Sequence, residues 1–198
     1  MFALAGYEII RVIQGVYHLS GKGGSIMEFE EVQALRKSSR SYTDEPVSEK
    51  DIAALIHAAG SASVGMHNDK GYAIAVVTAK SVLSAIAEDM KKIGKGDPLY
   101  GAPLLFVICE TKDAIEFLKR YDAGIMAEHL QLQAAALGLG SVILYGFIRH
   151  LGENASYLKK MKLPEGVKPL LAVAVGHAKG ADLPRKSDRH FTVLTIDE

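Results

Sequence analysis

DAGIMAEHLQLQAAAL, residues 122–137, decides the fold more than any other stretch of this sequence. Its apolar side chains cover most of the circumference of a helix, whereas a surface helix has a single apolar stripe. The pattern predicts a helix from Asp122 to Leu137 that is buried on nearly all sides and ends at Gly138. A domain of this size is too small to bury the helix alone, so we expect an obligate homodimer whose interface covers the remainder.

Short apolar runs and helical patterns alternate along the rest of the chain. Strands are predicted at residues 72–77, 104–109, 141–144 and 170–175. Helices are predicted at residues 28–35 and 81–93. A further helix opens at Ser48, whose hydroxyl can cap it while Asp51 reaches back as in a capping box. A central sheet with one enclosed helix predicts the α+β class.

Residues 1–26 differ in pattern from the rest of the chain. Apolar residues recur there at helical spacing, but Glu8 and Arg11 interrupt the continuous apolar centre that a secretory signal needs. We predict an N-terminal amphipathic extension and linker at residues 1–26 and a main domain at residues 27–198. The linker is Gly21-Lys22-Gly23-Gly24-Ser25.

Charge and composition restrict the classes of partner. The 198 residues are 48% hydrophobic, and 23 basic residues balance 23 acidic ones, so we expect no nucleic-acid partner. No apolar run approaches the ~18 residues that span a bilayer, so we expect a soluble protein with no membrane partner. The single cysteine, Cys109, permits no internal disulfide and favours the cytoplasm. His, Cys, Asp and Glu show no metal-ligand spacing, so we expect no metal.

The richest polar motif is Arg36-Lys37-Ser38-Ser39-Arg40, here called the basic segment. If it is extended, alternate side chains point to one face, which puts Arg36, Ser38 and Arg40 in one row. Two guanidinium groups flanking a hydroxyl suit a ligand with a phosphate at one end and a carbonyl-rich ring at the other. A solvated basic turn is the alternative that the spacing alone leaves open.

A second motif is the polar loop Gly65-Met66-His67-Asn68-Asp69-Lys70-Gly71-Tyr72, here called the Asn68 loop. The Asn68 amide offers a donor and an acceptor side by side, which matches the imide edge of a flavin or the pairing edge of a base. Asn in such a loop is also a common turn residue. A ligand role and a turn role both remain open at this point.

Several further segments complete an ordered set along the chain. They are Asp44-Glu45-Pro46-Val47-Ser48, Gly101-Ala102-Pro103, Asp122-Ala123-Gly124, Ala136-Leu137-Gly138-Leu139-Gly140-Ser141 and Leu144-Tyr145-Gly146-Phe147. Together with the basic segment, and in this order, they resemble the FMN-dependent nitroreductase family over roughly residues 27–185. The resemblance implies a mostly antiparallel sheet flanked by helices, and a homodimer with two FMN sites at its interface and the long helix packed against its mate.

The resemblance also implies roles for individual residues. Arg36 and Ser38 correspond to phosphate ligands, with Lys37 between them, and Arg40 faces the pyrimidine N1–O2 edge of the flavin. Asn68 reads the imide of the ring. The strand end beneath the ring, with backbone N–H groups near N5 and O4, is Ile143, Leu144, Tyr145 and Gly146. A basic pair that completes the phosphate site is Arg185 and Lys186, with Arg189 in reserve. Where many members have Gln-Pro-Trp after the Asn, this chain has Lys70-Gly71-Tyr72.

The expected activity is ping-pong electron transfer from NAD(P)H through FMN to a planar acceptor such as a nitroaromatic or a quinone. The cofactor carries this chemistry, so no side-chain nucleophile or general base is expected. FMN is expected instead of FAD, because the chain has no Gly-x-Gly-x-x-Gly turn for a dinucleotide. Two alternatives remain: a non-catalytic flavin-binding regulatory module, and a phosphate loop at Lys22, which lacks the required Ser or Thr neighbour.

Overall fold

The computed structural model describes residues 27–180 and 191–196. A four-stranded, fully antiparallel sheet lies at its centre, with the strand order β1-β2-β4-β3. The strands are β1 (Tyr72–Val77), β2 (Leu104–Glu110), β3 (Gly140–Leu144) and β4 (Lys168–Gly176). The α+β prediction is confirmed. The predicted extension at residues 1–26 and its Lys22 loop lie outside the described residues.

Besides two short 3-10 turns before β1, six α-helices in the described ranges pack around the sheet. They are α1 (Phe29–Leu35), α2 (Glu49–Gly60), α3 (Lys80–Lys92), α4 (Lys119–Ala136), α5 (Gly146–Leu151) and α6 (Ser156–Met161). Leu55 of α2 and Leu130 of α4 pack with Phe106 on one face. Ile86 of α3 and Phe147 of α5 pack on the opposite face, with the other set of strand side chains.

The central strand β2 explains why the sheet needs both helical layers. Its side chains alternate between the two cores, and Leu104 through Cys109 are all buried. Burial raises the pKa of the Cys109 thiol to about 12, so this cysteine is a structural apolar residue. No helix in residues 27–180 or 191–196 is long and apolar enough to cross a membrane.

Helix α4 begins one turn earlier than the apolar pattern predicts. The pattern starts at Asp122, but the helix starts at Lys119 and places Asp122 in its first turn, buried. The predicted end is confirmed, because Gly138 adopts a φ of +70° and the Leu139 N–H bonds to the Ala134 carbonyl at 2.8 Å. The helix keeps one exposed apolar side, to which Tyr121 and Ile125 belong.

The short helices α5 and α6 have no counterpart in the sequence-based prediction. Each has six residues, too few for a periodic pattern. A tertiary contact holds the start of α6: the Ser156 N–H and hydroxyl both donate to the carboxylate of Asp89 on α3, at 2.9 and 2.5 Å. Local sequence carries no signal for a cap that comes from a residue so distant in the chain.

The N-terminal cap of helix α2 is a local feature that the sequence predicts correctly. The Ser48 hydroxyl accepts a hydrogen bond from the Asp51 N–H at 3.1 Å, as predicted. The Asp51 carboxylate, however, accepts from the Ser48 hydroxyl at 2.6 Å and not from the Ser48 backbone. The Asp side chain is one methylene shorter than the Glu of a full capping box, so its carboxylate bonds to the Ser48 hydroxyl instead of the backbone N–H.

Candidate functional site

The candidate site lies along β3, which is an edge strand. The basic segment runs beside it: Ser38 forms a parallel bridge with Ser141, and the Ser39 N–H donates to the Ser141 carbonyl at 2.9 Å. The backbone carbonyl of Ser141 therefore points away from β4, toward the outer edge of the sheet. Because backbone direction alternates along an antiparallel strand, Ile143 directs its N–H to the same edge, where no described strand pairs with it.

The backbone of the basic segment is extended at Arg36 and bridges β3 at Ser38. Ser38 and Arg40 are exposed, whereas Ser39 between them is buried. The alternation places the Ser38 hydroxyl and the Arg40 guanidinium group on the exposed side of the segment.

Arg36 departs from the predicted row. It is the C-terminal cap of α1, and its guanidinium group is turned toward α4. There its Nη1 donates to Gln131 Oε1 at 3.3 Å, and its Nε lies 3.9 Å from the Glu128 carboxylate. The Arg36 side chain is only 16% exposed. The physical reason is the buried amide of Gln131, which also donates to the Ser141 hydroxyl at 3.4 Å and so connects Arg36 to β3.

Ser39 was not among the predicted site residues, yet its environment is unusual. Its hydroxyl is buried and has no hydrogen-bond partner among the described residues. A cavity of about 110 Å³ lies here, lined partly by Arg36, Lys37 and Ser39. A Cβ on Gly140 would come within 2.6 Å of the Ser39 oxygen, so only glycine lets the segment approach β3 this closely. An unpaired buried hydroxyl beside two basic residues suits an oxyanion or an ordered water.

The end of β3 supplies an apolar platform. Ile143 is 37% exposed and Tyr145 is 46% exposed, while Leu144 between them is buried in the core. Gly146 then begins α5. A planar ring lying on this strand end would contact Ile143 and Tyr145 and meet the unpaired backbone edge.

Asn68 lies at the other side of the sheet. It precedes β1, and three strand spacings, about 14 Å, separate β1 from β3. Its amide donates to the Asp113 carbonyl at 2.8 Å. A Cβ on Gly71 would lie 2.8 Å from this amide nitrogen and 3.1 Å from the Ala114 Cα, which explains glycine at this position. Within one chain, therefore, the structure does not bring Asn68 to the basic segment.

The Asn68 loop is fixed by Asp122, a contact that the sequence did not predict. The Gly65 N–H lies 3.1 Å from both carboxylate oxygens of Asp122, and the Tyr72 hydroxyl donates to one of them at 2.6 Å. Burial, and then this hydrogen bond, raise the pKa of Tyr72. Met66 and His67 adopt φ values of 56° and 53°, which the anchored loop must hold in place.

The remaining predicted ligands Arg185 and Lys186, with the reserve Arg189, lie outside the described residues and stay predictions. Among residues 27–180 and 191–196, no group of three or more His, Cys, Asp or Glu side chains could hold a metal ion.

These features define a class of site. An edge strand that ends in exposed apolar residues and leaves the Ile143 N–H without a described strand partner, flanked by the basic segment, suits a ligand with a planar heterocycle at one end and a phosphate at the other. A family model described as the Nitroreductase family matches residues 34–177, which include β1 to β4 and the basic segment. The chain belongs to the Nitroreductase family.

Individual members of the family, known from sequence or from solved structures, are similar to this chain. The chain is 30% identical over 192 residues to a protein of Bacillus subtilis (strain 168) named FMN reductase [NAD(P)H], covering 82% of this chain and 73% of that protein. It is similar in structure to a nitroreductase with bound FMN from Bacteroides fragilis NCTC 9343, with a TM-score of 0.73 at 23% identity, covering 86% of this chain and 99% of that one. An FMN-dependent nitroreductase from Clostridium difficile R20291 gives a TM-score of 0.70 at 24% identity, covering 85% and 99%. At these identities, the two solved structures establish the fold.

Proposed function

We propose that this protein is an FMN-dependent oxidoreductase that transfers electrons from NAD(P)H through the flavin to a planar acceptor such as a nitroaromatic or a quinone. The observation that carries the proposal is the basic segment lying beside the open edge of β3, with Ser38 bridged to Ser141. Family membership and the name of the Bacillus subtilis relative support the same interpretation.

The residues present fit FMN at both ends. The exposed Ser38 hydroxyl and the Arg36 guanidinium group would hold the phosphate, and the buried Ser39 hydroxyl, on the opposite side of the segment, would bind an ordered water. Arg40 would face the pyrimidine edge of the ring, where a positive charge favours the reduced state over the oxidised state. The β3 end from Ile143 to Gly146 would lie beneath the ring and present backbone donors to it.

FMN, when bound, supplies a ring that accepts a hydride and passes electrons on. The chain therefore needs to bind and orient the ring and to favour its reduced state. Its side chains need not supply a nucleophile or general base. Glu128 and Gln131 already restrict the Arg36 guanidinium group, at 3.9 and 3.3 Å. This preorganisation reduces the side-chain entropy that Arg36 loses when it binds phosphate.

A homodimer is part of the proposal. Phe117 lies two residues before α4, Tyr121 and Ile125 follow within the helix at four-residue spacing, and Tyr121 is 73% exposed. Four exposed apolar residues occupy the described C-terminal stretch: Phe191, Val193, Leu194 and Ile196. Such surfaces are typical of subunit interfaces. Because Asn68 lies across the sheet from the basic segment, a role for it at a flavin is easiest to explain if a second copy supplies it.

Steady-state kinetics test the proposed activity. With FMN present, NAD(P)H oxidation should depend on a quinone or nitroaromatic acceptor, and double-reciprocal plots at several acceptor concentrations should be parallel, as in a ping-pong cycle. Intersecting lines would contradict the shared open ring face. No acceptor-dependent oxidation of either donor would contradict the activity and favour a flavin-binding module.

A further inference from the structure

A cavity of about 770 Å³ opens beyond the end of β3 and is separate from the basic segment. Its walls come from the start of α4, the helices α5 and α6, and the first residues of β4. Its floor is apolar and includes Ala123, Tyr157 and Leu171. A volume of this size is in the range of small-molecule sites and accepts a nucleotide.

The cavity carries a local positive charge in a chain whose formal net charge is zero. Six basic side chains line it against two acidic ones. The basic residues are Lys119, Arg120, Arg149, Lys159, Lys162 and Lys168. Both acidic residues are already paired: Glu110 with Lys119 at 2.5 Å, and Glu153 with Lys168 at 2.7 Å.

Three cations in this cavity have no acidic partner among the described residues. They are Arg120, Arg149 and Lys159, and all three are exposed. Two of them are arginines, whose planar guanidinium groups bind phosphate oxygens in pairs. Paired acids and unpaired arginines around an apolar floor suit an anion with an aromatic ring.

Tyr145 connects this cavity to the proposed flavin site. It lines the cavity and also directly follows the strand end on which the ring would lie. From Ser141, beside the basic segment, to Tyr145 the chain runs about 13 Å, so the phosphate end and the ring end of the cofactor would lie at opposite ends of β3. A ligand in the cavity would therefore approach the ring end.

We propose that this cavity binds the adenosine-phosphate end of the nicotinamide donor, and that its unpaired arginines favour NADPH over NADH. The proposal rests on the proposed function and names the donor for that site. A 2′-phosphate adds about −1.5 to −2 charge at neutral pH, which matches the excess of cations. The apolar floor would accept the adenine.

Anaerobic reduction of the bound flavin, followed at rising donor concentration, gives a dissociation constant for each donor. The wild-type protein should bind NADPH about tenfold more tightly than NADH at low salt. Arg149→Gln and Arg120→Gln should each reduce that ratio about fivefold by weakening NADPH binding. Lys160→Gln is the matched control, because Lys160 is exposed on α6 beside Lys159 but does not line the cavity. It should leave the ratio unchanged.

Two results would overturn the cavity proposal while leaving the proposed function intact: reduction by both donors with no preference for NADPH, or a preference that neither arginine variant alters. Failure of both donors to reduce the flavin would contradict the proposed function instead. Equilibrium dialysis with NADP⁺ and NAD⁺ would then decide the cavity separately. Arginine-dependent, selective binding of NADP⁺ would support it, and equal or absent binding would overturn it.

Discussion

The Tyr72 hydroxyl donates a 2.6 Å hydrogen bond to the buried carboxylate of Asp122 and thereby joins the start of β1 to the first turn of α4. The same carboxylate accepts the Gly65 N–H, so one side chain anchors both ends of the Asn68 loop. A phenylalanine at position 72 would lack the donor that makes this contact.

Removing this carboxylate should destabilise the protein. Asp122→Ala leaves the Tyr72 hydroxyl and the Gly65 N–H without their acceptor and should lower the free energy of unfolding by about 1–3 kcal/mol. Tyr72→Phe removes one donor only and should cost about 0.5–1.5 kcal/mol. Urea unfolding measures both values. Asp113→Ala, at an exposed carboxylate beside the same loop, should change stability little; an equal loss there would contradict the assignment.

Acid should weaken the contact between α3 and α6. Hydrogen bonds from Ser156 and then Lys92 lower the pKa of Asp89 from its ordinary value to about 2. A carboxylate with a lowered folded-state pKa stabilises the fold above its unfolded pKa, and loses that effect as the pH falls toward 2.

Asp89→Asn should therefore be less stable than the wild type at pH 7, and the difference should shrink between about pH 5 and pH 2. Chemical unfolding across this range measures it. Ser84→Ala, at an exposed position of α3 with no ionisable side chain, is the control, and its difference from the wild type should not change over this pH range. A constant difference between wild type and Asp89→Asn would count against a charged Asp89 as the cap of α6.

Substitutions of Arg36 and Arg40 should have different effects on flavin binding and flavin reduction. On the proposed function, Arg36→Ala would remove a charge-assisted bond to phosphate that is equal in both oxidation states, so it should weaken FMN binding by about 1.5–3 kcal/mol. Added FMN should rescue its reactivity. Arg40→Ala should lower the midpoint potential and slow reduction even at saturating FMN, because only differential stabilisation changes the chemistry. FMN titration and stopped-flow reduction measure the two effects.

Lys50→Ala, an exposed lysine on α2, is the control for both variants and should match the wild type. Full rescue of Arg40→Ala by excess FMN, or unchanged FMN binding in both arginine variants, would show that the basic segment does not hold the flavin.

The exposed apolar side of α4 should control assembly. Tyr121→Glu puts a charge into the proposed interface and should shift the dimer toward monomer, without loss of helix, because Glu is favourable in the first turn of a helix. Ile93→Glu, at an exposed apolar residue after α3, is the control and should remain dimeric. Sedimentation velocity distinguishes these outcomes. A wild-type monomer with bound flavin would contradict the dimer altogether.

The sequence predicted those parts of the fold that local pattern determines. The strand at residues 72–77 matches β1, and Gly138 ends α4 as predicted, because alternation and a glycine with positive φ are local signals. The short α6 was missed because its start depends on Asp89, far away in the chain.

The candidate site also depends on contacts between residues that are far apart in the sequence. The spacing of the basic segment left an extended strand and a basic turn both open, and the direction of the Arg36 side chain depends on Gln131, 95 residues away. The unpaired hydroxyl of Ser39 depends on the close approach of Gly140. Packing of the folded chain determines such contacts between distant residues, and no periodic pattern in the sequence indicates them.

The most direct measurement of the central claim is the absorbance spectrum of the purified protein under anaerobic conditions, before and after addition of NADPH, with mass spectrometry of the released chromophore. We expect flavin bands that NADPH bleaches, and FMN as the released compound. A protein that takes up no flavin, that releases FAD at full occupancy, or whose bands neither NADPH nor NADH bleaches would contradict the account of an FMN-dependent oxidoreductase.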